Sequence, residues 1–383
     1  VSAPEIRIDQ LTGLRVVLAP GRAERPEAFS LPHAERRPDA AERCPFCEGR
    51  EERTPPETWA DRPGGGAPDT PGWRVRAVPN LYPVLGTEDV RAVEDGAAGD
   101  AGEGEAGGGE GGPKASPVPR VSAVPQAMIE TEMAARADPL RSSTRDASTD
   151  LFTSMPAEGA HEVIINTPRH ETSLGGLSEE ELAVAVEGWR ERMRELERDS
   201  SYVHLIVNQG PAAGASLEHT HAQIYGLRFV PAEVARERER AVAYHQRTMG
   251  AHLLADAATE EVRRRERLVA IDDEAILFCP YASRVPFELR IVPRAPAPSF
   301  AAEGQGGAAM LATALRALEG AFGELPQFNL WVRTAPRGSE EFCWHIDILP
   351  RLTIRAGFEL GTGVDINTYA PERAAADLRA ALG

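Results

Sequence analysis

The sequence predicts an α+β fold of two related halves, each a set of strands with a helix packed on it. Three observations carry that reading. A chain of 383 residues is long for a single core and suits two domains of ordinary size. Stretches such as "RVVLAP" and "YVHLIVNQG" have the apolar character of strands, whereas "LSEEELAVAVEGWRERMRELE" repeats its apolar residues at helical spacing. The order of these elements then recurs. "PFELRIVPRA" echoes "HEVIINTPRH", "AAMLATALRALEGAFG" echoes the first helix, "FNLWVRTAPRGSEE" echoes "YVHLIVNQGPAAGAS", and "FCWHIDILPRL" echoes "LEHTHAQIYGL". The interval from Pro168 to His221 nearly equals that from Pro293 to Asp347.

The opening "EIRIDQLTGLRVVLAPGRAERP" reads as two short strands about a turn at Thr12-Gly13, delivering Arg22 and Arg25 to the loop that follows. "ERCPFCEGRE" is a compact knuckle, and "GWRVRAVPNLYPVL" is an alternating strand ending at Pro79-Asn80. From about Glu88 to Asp150 the chain becomes rich in Gly, Ala, Pro and Glu with no periodicity. Such a segment buries too little apolar surface to offset its ordering entropy, so 88–150 is expected to be a disordered insertion. In "AHEVIINTPRHE", His161, Val163 and Ile165 share one strand face, and His170 follows the strand. The next helix starts with a capping box, Ser178 with Glu181, and buries Leu182, Ala185, Val186, Trp189, Met193 and Leu196 on one face. "LEHTHAQIYGLRFVP" reads as a strand, placing His219 and His221 on the same face.

Bulk composition narrows the partners. A formal net charge of −17 argues against nucleic acid or an anionic membrane, both of which repel such a chain at long range. No apolar run reaches the roughly 20 residues of a membrane helix, and "VSAPEIRIDQ" lacks the pattern of a signal peptide. Of the four cysteines, two lie in "CPFC", a spacing suited to a metal knuckle rather than a disulfide, and a reducing cytoplasm is expected. Cys279 and Cys343 have no near partner and read as core residues.

Cys44 and Cys47 offer two thiolates, and a tetrahedral zinc site needs two more ligands, which His170 and His219 can provide as neutral imidazoles. For the pair His219 and His221 two readings stand. They form a metal pair or polar stripe, or they divide the work, since ligands about 7 Å apart along a strand cannot share one ion. In the second case His221 is free to attack phosphorus, for which a neutral imidazole needs no separate activation. Gln223 fits transfer between phosphates: both leaving group and acceptor are already anionic, so a neutral amide donor suffices. "GAS", from Gly214 to Ser216, lets backbone amides approach phosphate oxygens, with Arg22 and Arg25 completing a charge clamp. The plain alternative is a tight turn and two solvated arginines.

Taken together these residues resemble the galactose-1-phosphate uridylyltransferase family, a branch of the histidine triad superfamily. Its pattern of Asn, Gly-x-Ser and His-Pro-His-x-Gln is met by Asn208, Gly214, Ser216, His219, His221 and Gln223 in "NQGPAAGASLEHTHAQ", with Thr220 in place of the proline. "APGRAERP", "CPFC", "VPNLYPVL", "TPRH" and "PRLTIRAGFELGTG" extend the likeness over nearly the whole chain outside the insertion. The resemblance implies two histidine-triad-like halves, each an antiparallel sheet with packed helices, in a cytoplasmic homodimer. It implies that His221 takes UMP from UDP-glucose, releasing glucose 1-phosphate, and hands it to a hexose 1-phosphate, typically galactose 1-phosphate. This is ping-pong chemistry through a uridylyl-histidine. It implies structural Zn2+ on Cys44, Cys47, His170 and His219. Arg22, Arg25, Asn80, Asn208 and Ser216 match nucleotide and phosphate contacts, and Glu359 matches a hexose contact.

On this reading residues 1–87 and 151–240 form the catalytic half with the zinc site, and 241–383 the second half. The chain also departs from the pattern. Some members hold a second metal, iron, on a glutamate and three histidines; here Glu237 and His345 match, Asp347 replaces one histidine, and "PRAPAP" has none at the other. Pro45 and Leu81 differ from the familiar uridine-contacting residues, and "CPFC" with "NLYPVL" is also similar to relatives that transfer AMP from ADP-glucose to phosphate. An ADP-glucose phosphorylase, or a zinc-stabilised nucleotide-binding protein without turnover, are therefore the alternatives.

Overall fold

The computed structural model describes residues 3–21, 40–86, 155–302, 304 and 306–383. Arg22, Arg25 and the 88–150 segment lie outside the described residues. The chain packs as one unit of Val1–Pro83 with Ala160–Gly383 and a second of Val84–Gly159. In the second, the described residues form a bridge between Gly86 and Glu158.

The first half of the larger unit contributes β3 (Trp59–Asp61), β4 (Val75–Pro79), β5 (Gly159–Ile165), β6 (Tyr202–Gln209) and β7 (His221–Leu227). The second contributes β8 (Leu268–Ile271), β9 (Ala275–Phe278), β10 (Leu289–Pro293), β11 (Phe328–Arg333) and β12 (His345–Pro350). They form one ten-stranded sheet in the order β3-β4-β5-β7-β6-β11-β12-β10-β9-β8. Read inward from either edge, the two halves run through their strands in the same chain order, so the repeat in the sequence is a repeat in the sheet. The halves meet at an antiparallel seam where Phe328 faces Gln209 and Asn329 faces Asn208.

Strand alternation divides the residues between two faces. On β6, Val203, Leu205 and Val207 enter the main core, together with Leu330 and Val332 of β11 and Ile346 and Ile348 of β12. The helix Glu179–Leu196 and its counterpart Ala308–Phe322 close this core. With the short Ala40–Arg43 helix as α1, these are α2 and α5. The capping box of α2 forms as expected: Ser178 Oγ accepts from Glu181 N at 3.1 Å, and Glu181 Oε2 accepts from Ser178 N at 2.8 Å. Trp189 of α2 is fully buried and donates its indole N–H to Asn166 Oδ1 at 2.8 Å. Cys279 and Cys343 are buried, as expected of core residues.

The opposite face is covered over the second half by α3 (Ala232–Thr248) and α4 (Leu253–Arg264). Leu254 and Ala258 of α4 pack with Ile276, Phe278 and Val292. After α6 (Gly357–Thr362), the strand β13 (Asp365–Asn367) pairs parallel to β2 (Arg15–Leu18), which pairs antiparallel to β1 (Glu5–Ile8). The last helix, α7 (Pro371–Leu382), buries Ala374, Ala375 and Leu378 in the main core.

One expected element is shorter. The strand expected from Leu217 begins only at His221, and the residues just before it form bends. The cause is the loop after β5: Thr220 N donates to Glu171 O at 2.7 Å, and Thr220 O accepts from Asn166 N at 3.3 Å. These bonds draw the chain toward the loop after β5 and turn His219 out of the strand.

Candidate functional site

The knuckle, the loop after β5 and the start of β7 converge. Glu48 N donates to Pro168 O at 3.0 Å, which sets the knuckle against the "TPRH" loop. Cys44, Cys47, His170 and His219 then present ligand atoms that all lie within 4.8 Å of one another. Cys44 Sγ is 3.4 Å from His219 Nδ1, and Cys47 Sγ is 3.4 Å from His170 Nδ1 and 3.8 Å from His219 Nδ1. With metal–sulfur and metal–nitrogen bonds of ordinary zinc length, the S···N edge of a tetrahedron is about 3.6 Å. The three Cys–His separations match that edge, and the four residues could hold a metal ion. The other ring nitrogen of His219 donates to Thr167 O at 2.9 Å, an outer contact that leaves Nδ1 as the ligand atom. Phe46 N donates to Cys44 Sγ at 3.4 Å.

His221 opens β7 and is buried. Its Nδ1 lies 2.7 Å from His219 O, so Nδ1 carries the proton and Nε2 the lone pair. Burial lowers its pKa, with the bond to His219 opposing that effect, which favours the neutral ring. Phe46, the residue between the two cysteines, sets its ring edge-on to both histidines, at 6.1 Å from His219 and 5.3 Å from His221. The knuckle thus supports the neighbouring imidazole as well as the metal set.

Gln223 and Tyr225 share the His221 face by alternation. Tyr225 donates its hydroxyl to Gln223 Oε1 at 2.9 Å. His161 Nε2 is 3.1 Å from the same oxygen and 3.0 Å from Asn80 Nδ2, and its ring stacks on Tyr225 at 4.2 Å. On β6, Asn208 lies on the face of Ile206, whose strand partner is Gln223. Asn329, from the second half, donates Nδ2 to both Asn208 Oδ1 and Ala213 O at 2.8 Å. Gly214 turns at φ +90° with no atom near a would-be Cβ, and Ser216 is exposed beside it.

The structure therefore joins Cys44, Cys47, His170 and His219 in one cluster, and Asn80, through His161, to Gln223 beside His221. Glu359 caps α6 through Oε2 and Ala356 N at 3.0 Å, and no contact links it to the histidine strand among the described residues. Phe46, His161, Tyr225 and Asn329 are the members that the sequence did not single out. For Tyr225 the signal was present, since His221, Gln223 and Tyr225 alternate.

The residues of the second metal set do not fit a cation. Both Asp347 oxygens are taken by Arg290, at 2.7 and 3.0 Å, and one also by Arg284 at 3.1 Å. Against the raising effect of burial, Arg290 and its neighbours hold the Asp347 carboxyl well below the carboxylate range. Glu237 faces Arg333 at 3.3 Å, and burial pushes its carboxyl up to about 7. His345 is pushed down to about 3 by burial and by Arg290. Guanidinium groups occupy the place of a metal.

Comparison with known proteins gives a consistent set of relatives. Residues 131–231 match the profile of the N-terminal domain of galactose-1-phosphate uridyl transferase. The chain is 30% identical to a galactose-1-phosphate uridylyltransferase of Cryptococcus neoformans over 270 residues, covering 64% of this chain and 71% of that protein. It is 25% identical to an ADP-glucose phosphorylase of Arabidopsis thaliana over 393 residues, covering 98% and 93%. A crystal structure of an ADP-glucose phosphorylase from Arabidopsis thaliana with bound ADP-glucose superposes with a TM-score of 0.69 at 23% identity, covering 98% of this chain and 99% of that one. That likeness extends the shared fold over the length of both chains.

Proposed function

Because the chain belongs to the galactose-1-phosphate uridylyltransferase family, we propose that it moves UMP from UDP-glucose to a hexose 1-phosphate, galactose 1-phosphate being the expected acceptor. The observation that carries this is the bond from His221 Nδ1 to His219 O, which leaves Nε2 bare on the face of Gln223. Nε2 attacks the phosphorus of the uridylyl group; an N–P bond forms, the P–O bond breaks, and glucose 1-phosphate leaves with the electron pair. The positive charge gained by the ring is stabilised through Nδ1–H and the His219 carbonyl. A phosphate oxygen of the second sugar then attacks, and the N–P bond breaks to return neutral His221. Neither step needs a proton, since both sugar phosphates are anionic. Gln223 donates to the phosphoryl oxygen, while Asn80, Asn208, Gly214 and Ser216, with Arg22 and Arg25, hold the nucleotide and phosphates. Glu359 is assigned to the hexose.

A second reading has its own support. The likeness to ADP-glucose phosphorylase spans 98% of the chain, so transfer of AMP from ADP-glucose to phosphate is the competing reaction. Labelled UDP-glucose and ADP-glucose offered side by side, each with galactose 1-phosphate or phosphate, decide between them. Turnover with ADP-glucose and phosphate alone would overturn the uridylyl reading.

For the ion on Cys44, Cys47, His170 and His219 we infer zinc, which suits two thiolates and two imidazoles in a closed tetrahedron. It would fix the His219 segment and so the start of β7. Metal analysis of the purified protein should give about one zinc per chain; a folded, active protein free of metal would refute the assignment. A homodimer is expected, and light scattering that returns a monomer mass would remove it.

A further inference from the structure

We propose that His161 is a positioning residue that sets the direction of the Gln223 amide, and that it ties this direction to occupancy of Asn80 by the nucleoside. The inference rests on the reading of His221 as a nucleotidyl acceptor.

The two ends of a glutamine amide are nearly isosteric, so its direction is decided by neighbours. At one end of Gln223 stand the Tyr225 hydroxyl at 2.9 Å and His161 Nε2 at 3.1 Å. A hydroxyl can donate or accept, so Tyr225 alone does not choose between the amide ends. The imidazole does. Burial lowers the pKa of His161, opposed by its bond to Gln223, which favours the neutral ring with its one ring proton. With that proton on Nε2, Oε1 of Gln223 accepts from both neighbours, and the amino group turns toward the open face that His221 shares. Among the described residues that amino group has no partner, so it is available to a phosphoryl oxygen.

The same imidazole nitrogen has a rival. Asn80 Oδ1 accepts from Tyr82 N at 2.9 Å, which fixes Nδ2 as the end facing His161 at 3.0 Å. A donor there favours an unprotonated Nε2, which would set a lone pair against Oε1 and weaken the hold on Gln223. Asn80 and Gln223 therefore compete for one nitrogen. A nucleoside oxygen that draws the Asn80 amino group off His161 removes the rival, and the proton settles between His161 and Gln223. Stacking on Tyr225 at 4.2 Å keeps the ring from escaping the contest.

The test is a double-mutant cycle on single-turnover labelling of His221 by whichever nucleotide sugar labels the wild type. His161→Phe keeps the stack and removes both nitrogens; the labelling rate should fall about 10- to 100-fold, with little change in KM for the nucleotide sugar. His161→Gln, which restores a donor, should recover part of the loss. In a Gln223→Ala background His161→Phe should have no further effect. If His161→Phe fails to fold, Tyr225→Phe enters the same cycle and should give a smaller, equally non-additive loss. An equal fold-loss with and without Gln223, or a change in KM alone, would overturn the proposal. Wild-type protein labelled by neither sugar would remove the underlying reading and the proposal together.

Discussion

The strands β7 and β12 hold corresponding places in the two halves of the sheet, yet the faces they turn away from the main core are built for opposite ends. On β7 the face carries His221, Gln223 and Tyr225, neutral groups whose bonds leave one ring nitrogen and one amino group uncommitted. On β12 it carries His345, Asp347 and Leu349, and Asp347 is locked by two guanidinium groups beneath α3 and α4. The positions are equivalent, so the backbone does not determine reactivity. What differs is charge: the first half leaves neutral polar atoms unspent where a ligand can use them, and the second sets a buried carboxylate between guanidinium groups beneath its covering helices.

The largest break in this contrast is His221→Gly. Nucleotidyl transfer should fall by about 10⁴- to 10⁶-fold, with no labelled adduct, while the unfolding midpoint stays near that of the wild type. On the other strand the effect should be on stability. Asp347→Asn leaves Arg290 buried without its counter-charge, while Arg284 keeps Glu288 at 2.6 Å, and should cost about 3–5 kcal/mol in denaturant unfolding, whereas Arg290→Met with Asp347→Leu should be near neutral. Equal losses from the single and double changes would show that the pair is more than a charge balance. The smallest effect separates the two core helices. α2 has its capping box, but α5 starts at Gly307 with no side-chain cap. Ser178→Ala should cost about 1 kcal/mol. Arg169, against some opposing burial and with help from Ser178, holds the Glu181 carboxyl down to about 2, from 4.5. Its contribution is present above about pH 4.5 and is lost as pH falls toward 2. Thermal unfolding of Glu181→Gln should lack that part of the acid slope.

Much of this was legible in the sequence because it is periodic or closely spaced. The repeated element order, the Ser178–Glu181 box, the Cys44–Cys47 spacing and the alternation through His221 and Gln223 each depend on neighbours along the chain. The rest depends on strands brought together from afar. His161 lies 62 residues before Gln223, and Arg290 lies 57 before Asp347. No local pattern states that such pairs will meet. The late start of β7 has the same origin, since the bonds that bend Thr220 come from Glu171 and Asn166. Arginines were legible as residues but not as substitutes for a metal, because that requires knowing which carboxylates they face.

The seam between β6 and β11 has a consequence for any attempt to study the halves apart. Five residue pairs, from Phe328–Gln209 to Val332–Leu205, satisfy each other's backbone groups along it. A fragment ending before β8 would bare β6 as an open edge, a template for pairing with other chains, and would lose the Asn329 amide that steadies Asn208. The second half thus serves as a permanent edge cover, and expressing the first half alone should give aggregates rather than a smaller folded protein.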